Sequence, residues 1–134
     1  MHKNPCDVRL FEATLPNVPP LFSAESGAVV DFYGVVRGNE AGQAIDGIDY
    51  EAYREMALHQ LSHIAQQAIQ KYSLESILLY HRIGYVSAGE PSLFLRVASK
   101  HRQKAFEAEQ WVIDRLKAAV PIWKHPKPAK PTVS

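Results

Sequence analysis

The sequence predicts an α+β domain with a mostly antiparallel sheet and two main helices. Three observations carry that expectation: short runs rich in β-branched and aromatic residues, two segments whose apolar residues recur at helical spacing, and their order, β-β-β-α-β-β-α. Asp7 to Ala13 reads as the first strand, with Val8 and Leu10 on one face. Leu15-Pro16-Asn17-Val18-Pro19-Pro20 is irregular, because three prolines remove three backbone donors. Ala28 to Val36 is the second strand, and Gly34 inside it marks a bulge or a close backbone approach. Arg37 to Gln43 is a polar, glycine-containing loop, and Ile45 to Tyr53 is the third strand, with Ile48 and Tyr50 alternating.

From Arg54 to Tyr72, Met56, Leu61, Ile64, Ala65, Ala68, Ile69 and Tyr72 recur at spacings of three to five, the pattern of an amphipathic helix. Ser76 to Ile83 is a strand, Ser87 to Pro91 a turn, and Ser92 to Ala98 the last strand. Ser99 is placed to cap a second helix carrying Ala105, Phe106, Val112, Ile113, Leu116 and Val120, and Pro121 ends it. The single domain is expected over residues 1–124. Residues 125–134, with three prolines, two lysines and no acid, read as an extended tail.

The composition sets the class. Of 134 residues 46% are hydrophobic and 22% charged, which excludes disorder for the bulk of the chain. At this length roughly 65–70% of the unfolded surface can be buried, so the fold needs neither metal nor disulfide. No apolar run approaches the roughly 20 residues of a membrane-spanning helix, and Met1 to Leu10 has no signal core, so a cytoplasmic protein is expected. The one cysteine, Cys6, makes neither an internal disulfide nor a zinc site by itself. The net charge of +1 hides a gradient: residues 1–95 carry 6 basic and 11 acidic side chains, residues 96–134 carry 9 and 3. Such segregation points the C-terminal third at something anionic or, more simply, marks a solvated helix face with a basic tail.

Several basic residues stand where an anion could be held. Ser99-Lys100-His101-Arg102 lies where a strand hands over to a helix whose first N–H groups are unpaired. Cations oppose the helix dipole there by several tenths of a kcal/mol each, so the pattern suggests an external anion. Lys117 falls in the last turn of the same helix, and Lys124 follows in Pro121-Ile122-Trp123-Lys124, behind an Ile-Trp anchor. The sequence leaves open whether these two ammonium groups converge or point apart. Arg37, launched from the end of a strand, suits bidentate anion capture. His81-Arg82, followed by Ile83-Gly84 and Gly89-Glu90, could mark a second polar cluster, but His81 in an apolar strand reads more simply as a satisfied core residue; His59 with His63 has metal-pair spacing but no third ligand nearby, so no metal is expected.

Taken together, Phe32-x-Gly34-x-Val36-Arg37, Tyr50-Glu51-Ala52-Tyr53 with Met56-Ala57, His81-Arg82-Ile83-Gly84 with Gly89-Glu90, Ser99-x-His101-Arg102-x-x-Ala105-Phe106, Asp114-x-Leu116-Lys117 and Pro121-Ile122-Trp123-Lys124 resemble the large, catalytic subunit of molybdopterin synthase. The likeness runs from about Gly27 to Lys124, with the motifs in register. It implies a fold of the α/β-hammerhead type and a sulfurtransferase of molybdenum-cofactor synthesis that converts cyclic pyranopterin monophosphate into molybdopterin. Sulfur would arrive as a thiocarboxylate at the C-terminal Gly-Gly of a small ubiquitin-like carrier, with two large subunits forming a homodimer inside a heterotetramer. Matching positions make Lys117 and Lys124 catalytic. Arg37, His101 and Arg102, with Phe32 and Ile113, would hold the substrate, His101 and Arg102 from the same protomer or across the dimer. No cofactor, nucleic acid or membrane is implied.

This sequence departs from that family after Lys124: members usually continue with a basic residue and a glutamate, whereas here His125-Pro126 follows. Two rival readings make different demands. A non-catalytic relative would bind the carrier without forming product, and a nucleic-acid-binding domain using Tyr72, Trp111 and Trp123 would show steep salt dependence.

Overall fold

The computed structural model describes residues 5–131. In chain order the elements are β1 (Cys6–Phe11), β2 (Ala28–Val35), β3 (Asn39–Glu40), β4 (Gln43–Ala52), α1 (Arg54–Tyr72), β5 (Ser76–Arg82), β6 (Gly84–Ser87), β7 (Pro91–Ser99), α2 (Arg102–Ala119) and β8 (Ile122–Pro128). The fold is α+β, with the predicted strands and both helices present. Three strands are additional, and each was hidden for a physical reason.

The segment expected as a loop from Arg37 contains β3, which pairs with the start of β4 in the register Asn39↔Ala44 and Glu40↔Gln43. Only Ala41 and Gly42 remain between the strands, both at positive φ (52° and 82°), as a two-residue hairpin turn requires. An alanine in the first of those positions is a weak sequence signal. β6 fills the gap between the predicted strand ending at Ile83 and the predicted turn, and the turn itself follows it at residues 88–90. Gly84, at φ 86°, breaks the chain away from β5 so that it pairs with β4 instead. β8 crosses the boundary drawn at residue 124 on composition: the stretch after His125 is extended, and as far as Pro128 it lies antiparallel on β4. Its prolines discourage a strand assignment from sequence, yet a strand paired on one side only tolerates them.

Two sheets result. The first has the order β1-β5-β7-β2, parallel between β1 and β5 and antiparallel elsewhere. Both helices cover one of its faces, where Leu61, Ile64, Ala65 and Ala68 of α1 and Ala105, Ala108, Val112 and Leu116 of α2 meet Ile77, Leu79, Leu93, Leu95 and Val97. The period-2 alternation of β5 and β7 puts Tyr80 and Phe94 on the other face, under Leu15 and Val18 of the proline-rich segment. Arg96 pins that segment by donating to the Val18 carbonyl at 2.7 Å while pairing with Asp31 at 2.7 Å. The second sheet is built on β4, which pairs with β3, β6 and β8 around Val36, Ile45, Ile48, Tyr50 and Val86. At Gly47 a β-carbon would sit 2.4 Å from the Val86 carbonyl oxygen, so only glycine admits this approach of β4 and β6.

The expected cap is corrected. Ser99 remains the last residue of β7, paired with Ala28 and 2% exposed, and His101 occupies the cap position without a side-chain hydrogen bond. The Ser99 hydroxyl accepts instead from the His101 backbone N–H at 3.5 Å.

Candidate active site

Where the two sheets meet the end of α2, the chain leaves a cavity of about 270 Å³. Its floor is a row across the first sheet, Gly34 on β2 opposite Leu93 on β7, and Leu93 opposite His81 on β5. Gly34 contributes no side chain to that row. A β-carbon there would lie 3.2 Å from that of Leu93, and the register of β2 shifts directly after it, sending Val36 and Arg37 toward the second sheet.

The walls come from distant parts of the chain. Ile113, Leu116 and Lys117 project from one face of the last turns of α2, at the i, i+3, i+4 spacing. The helix ends when the Val120 N–H bonds to the Leu116 carbonyl at 3.2 Å, and Pro121 turns the chain into β8. There Lys124 stands directly opposite Tyr50 of β4, so the two side chains share one face at a spacing of about 5 Å. Alternation along β8 puts Ile122 on that face with Lys124. Trp123 turns away and is half exposed, so the apolar anchor before the lysine is Ile122 alone. A second compartment of about 310 Å³ adjoins the first and shares Tyr50, His81, Leu116, Lys117 and Lys124 with it, adding Val120 and Ile122.

The structure therefore brings five of the sequence-predicted site residues, Phe32, Arg37, Ile113, Lys117 and Lys124, into one cavity. His101 and Arg102 do not join them. They sit exposed at the opposite end of α2, and fifteen residues of helix separate Arg102 from Lys117, about 22 Å along the axis. No acidic residue stands in the first turn of that helix. The side chains of Arg37, Lys117, Lys124, His101 and Arg102 are left uncommitted: among the described residues none has an ion pair or side-chain hydrogen bond. Arg9, Arg54, Arg82 and Arg96, by contrast, are all paired with carboxylates.

Sequence reasoning missed the polar lining. Tyr50 donates to the Ser92 hydroxyl at 3.1 Å, and burial raises its pKa. Its ring meets the His81 imidazole edge-on with centroids 5.4 Å apart. His81 is buried as expected of a core histidine, but it also lines both compartments. Glu40, from the unforeseen hairpin, is the one carboxylate among the residues lining the first compartment. The alternation Ile77, Leu79, His81 on β5 was the available signal, since it puts the histidine on the helix-facing side of the sheet. Among the described residues no cluster of three or more His, Cys, Asp or Glu could hold a metal ion.

Comparison with known proteins places this geometry. The family model described as MoaE protein matches residues 1–119. The chain is 36% identical over 122 residues to the molybdopterin synthase catalytic subunit of Pyrococcus abyssi, covering 91% of this chain and 80% of that protein. Among solved structures it superposes on molybdopterin synthase from Staphylococcus aureus with a TM-score of 0.75 and 32% identity, over 82% of this chain and 80% of that one. It also superposes on a chain in the complex of subunits 1 and 2 of molybdopterin-converting factor from Helicobacter pylori, with a TM-score of 0.64 and 25% identity, over 76% and 66% of the two chains.

Proposed function

This chain belongs to the MoaE protein family, and we infer from that premise that it is the catalytic subunit of a molybdopterin synthase. It transfers sulfur from the thiocarboxylate of a small ubiquitin-like carrier ending in Gly-Gly to cyclic pyranopterin monophosphate. Both reactants are anions, and their meeting has to be stabilised by positive charge held in place beforehand. The observation that carries the reading is the convergence of Arg37, Lys117 and Lys124, three cations from separate elements with no carboxylate partner, on one cavity.

The division of that cavity supports a division of labour. The compartment with Arg37, Phe32 and Ile113 suits the phosphate and the flat pterin. The adjoining one, with Leu116, Val120 and Ile122, suits an extended carrier tail. Lys117 and Lys124 border both, where sulfur and carbon must meet. In that position their ammonium groups stabilise the developing oxyanion and donate protons. Sulfur delivered by a partner asks for no nucleophilic cysteine, and Cys6 lines neither compartment.

The assembly on this reading is a homodimer inside a heterotetramer with two carriers, and pairing with a second kind of subunit is supported by the Helicobacter pylori neighbour, a complex of subunits 1 and 2. In it the His101 and Arg102 of one copy complete the anion site of the other. No helix among the described residues is long and apolar enough to cross a membrane, and on this reading the enzyme works in the cytoplasm. The test is reconstitution: the purified chain, the thiocarboxylated carrier and the cyclic pterin should yield dithiolene product. A complex that binds the carrier but forms no product would leave only a binding role.

A further inference from the structure

The synthase reading leaves one chemical requirement unassigned, and His81 is built to meet it. His81 stands one residue before the end of β5 on the helix-facing side, is 5% exposed and lines both compartments with Lys117 and Lys124. One ring nitrogen is committed, since Nδ1 lies 2.7 Å from the Arg82 carbonyl oxygen. A carbonyl only accepts, so Nδ1 carries the hydrogen and Nε2 of the neutral ring carries a lone pair. Nε2 has no partner among the described residues. Burial lowers the pKa of the ring, the hydrogen bond to Arg82 opposes this, and the charge of Lys124 lowers it further. The imidazole is therefore neutral near pH 7.

The other titratable and charged groups around the ring cannot replace it. Tyr50 of β4 is engaged with Ser92, while Lys117 of α2, Lys124 of β8 and Arg37 beyond β2 are cations that only donate. Glu40 of β3 can accept a proton but lines only the first compartment.

We propose that His81 is a further catalytic residue, the base that activates the water releasing the spent carrier. Once the thiocarboxylate sulfur has bonded to a pterin side-chain carbon, the carrier's terminal carbonyl is joined to substrate through that sulfur. Water then attacks the carbonyl carbon. A C–O bond forms, the C–S bond breaks, one water proton passes to Nε2 of His81, and the electron pair leaves on sulfur as a thiolate facing Lys117 and Lys124. The new carboxylic acid loses its own proton to solvent, and His81 returns its proton to the thiolate or to solvent. No oxidant or reductant is needed.

The test follows a single turnover of the complete complex, with the carrier–pterin adduct read by intact mass and the dithiolene by product fluorescence. His81→Asn retains a donor toward the Arg82 carbonyl and removes the Nε2 lone pair. It should form the adduct at the wild-type rate, hydrolyse it about 10²-fold or more slowly, and lose the acid limb of the wild-type hydrolysis profile. Hydrolysis at the wild-type rate, or equal slowing of both steps, would overturn the proposal. Nitrogen NMR of the wild-type protein tests it without turnover: hydrogen on Nδ1 and a bare Nε2 at pH 7 are required, and the opposite tautomer or a charged ring refutes it even if the variant does not fold. Failure of the wild-type complex to make product is a separate result, and it rejects the synthase reading itself.

Discussion

Mixing two inactive variants tests whether His101 and Arg102 serve the cavity of a second copy. Arg102 and Lys117 lie about 22 Å apart along one straight helix, too far for both side chains to contact one small substrate within a protomer. Let one variant be Lys117→Ala and the other His101→Ala with Arg102→Ala, each expected to be nearly inactive alone. Random exchange at equal amounts makes half of the symmetric dimers mixed. In a mixed dimer, one cavity combines the intact lysine of one chain with the intact His101 and Arg102 of the other, while its twin has neither. Activity should thus return to about a quarter of wild type. The assay is dithiolene formation after the variants are incubated together long enough to exchange subunits, with exchange verified by mass. If each cavity used its own chain's His101 and Arg102, both cavities of every mixed dimer would carry a defect. Verified exchange with no recovery would therefore refute contribution across the dimer.

Other expectations follow from the same geometry. Lys117→Ala and Lys124→Ala should each lower single-turnover dithiolene formation about 10²-fold or more, and unchanged rates in both would remove the lysines from the mechanism. Arg37→Ala should raise the KM for the cyclic pterin by about 10- to 100-fold, the loss of one charge-assisted contact, and leave carrier binding unaltered in a pull-down; equal weakening of both would contradict the division into compartments. Glu109 on α2 is pushed up to about 8 by burial, with the Asp31 charge adding to the shift, and one of its oxygens is buried without a partner. Its folded-state value lies above the ordinary 4.5, so between those values the native state holds a proton that the unfolded chain has released. Its contribution to stability is thus full below about pH 4.5 and is lost as pH rises through about 8. Glu109→Gln should accordingly stabilise the protein by at least about 1 kcal/mol more at pH 8 than at pH 5, and a gain in Tm independent of pH would count against the burial argument.

Much of the fold could be read from local pattern. The helix spacing from Arg54 to Tyr72 coincides with α1, and the apolar runs at Ala28, Ser76 and Ser92 coincide with β2, β5 and β7. These features depend on residues two to four apart, so a short window contains the whole signal. β3, β6 and β8 were less visible because each is defined by its pairing with β4. Two residues of β3, four of β6 and a proline-rich β8 have little preference of their own. Ser99 looked like a cap for the opposite reason: its local chemistry suited the role, but pairing with Ala28 kept it in the sheet.

By itself the sequence determined both helices and five of the strands, the ordered motifs that resemble the MoaE family, and an excess of basic residues in the last third of the chain. Only the tertiary structure decided which of those bases meet. Lys124 comes to the cavity because β8 adopts one register on β4, and a shift of one residue would turn it outward in place of Trp123. His81 reaches the cavity because the strand order puts β5 beside β7, and the missing side chain at Gly34 leaves room at the far end of that row. Register and strand order are set by the whole buried core at once, so no local stretch of sequence contains them.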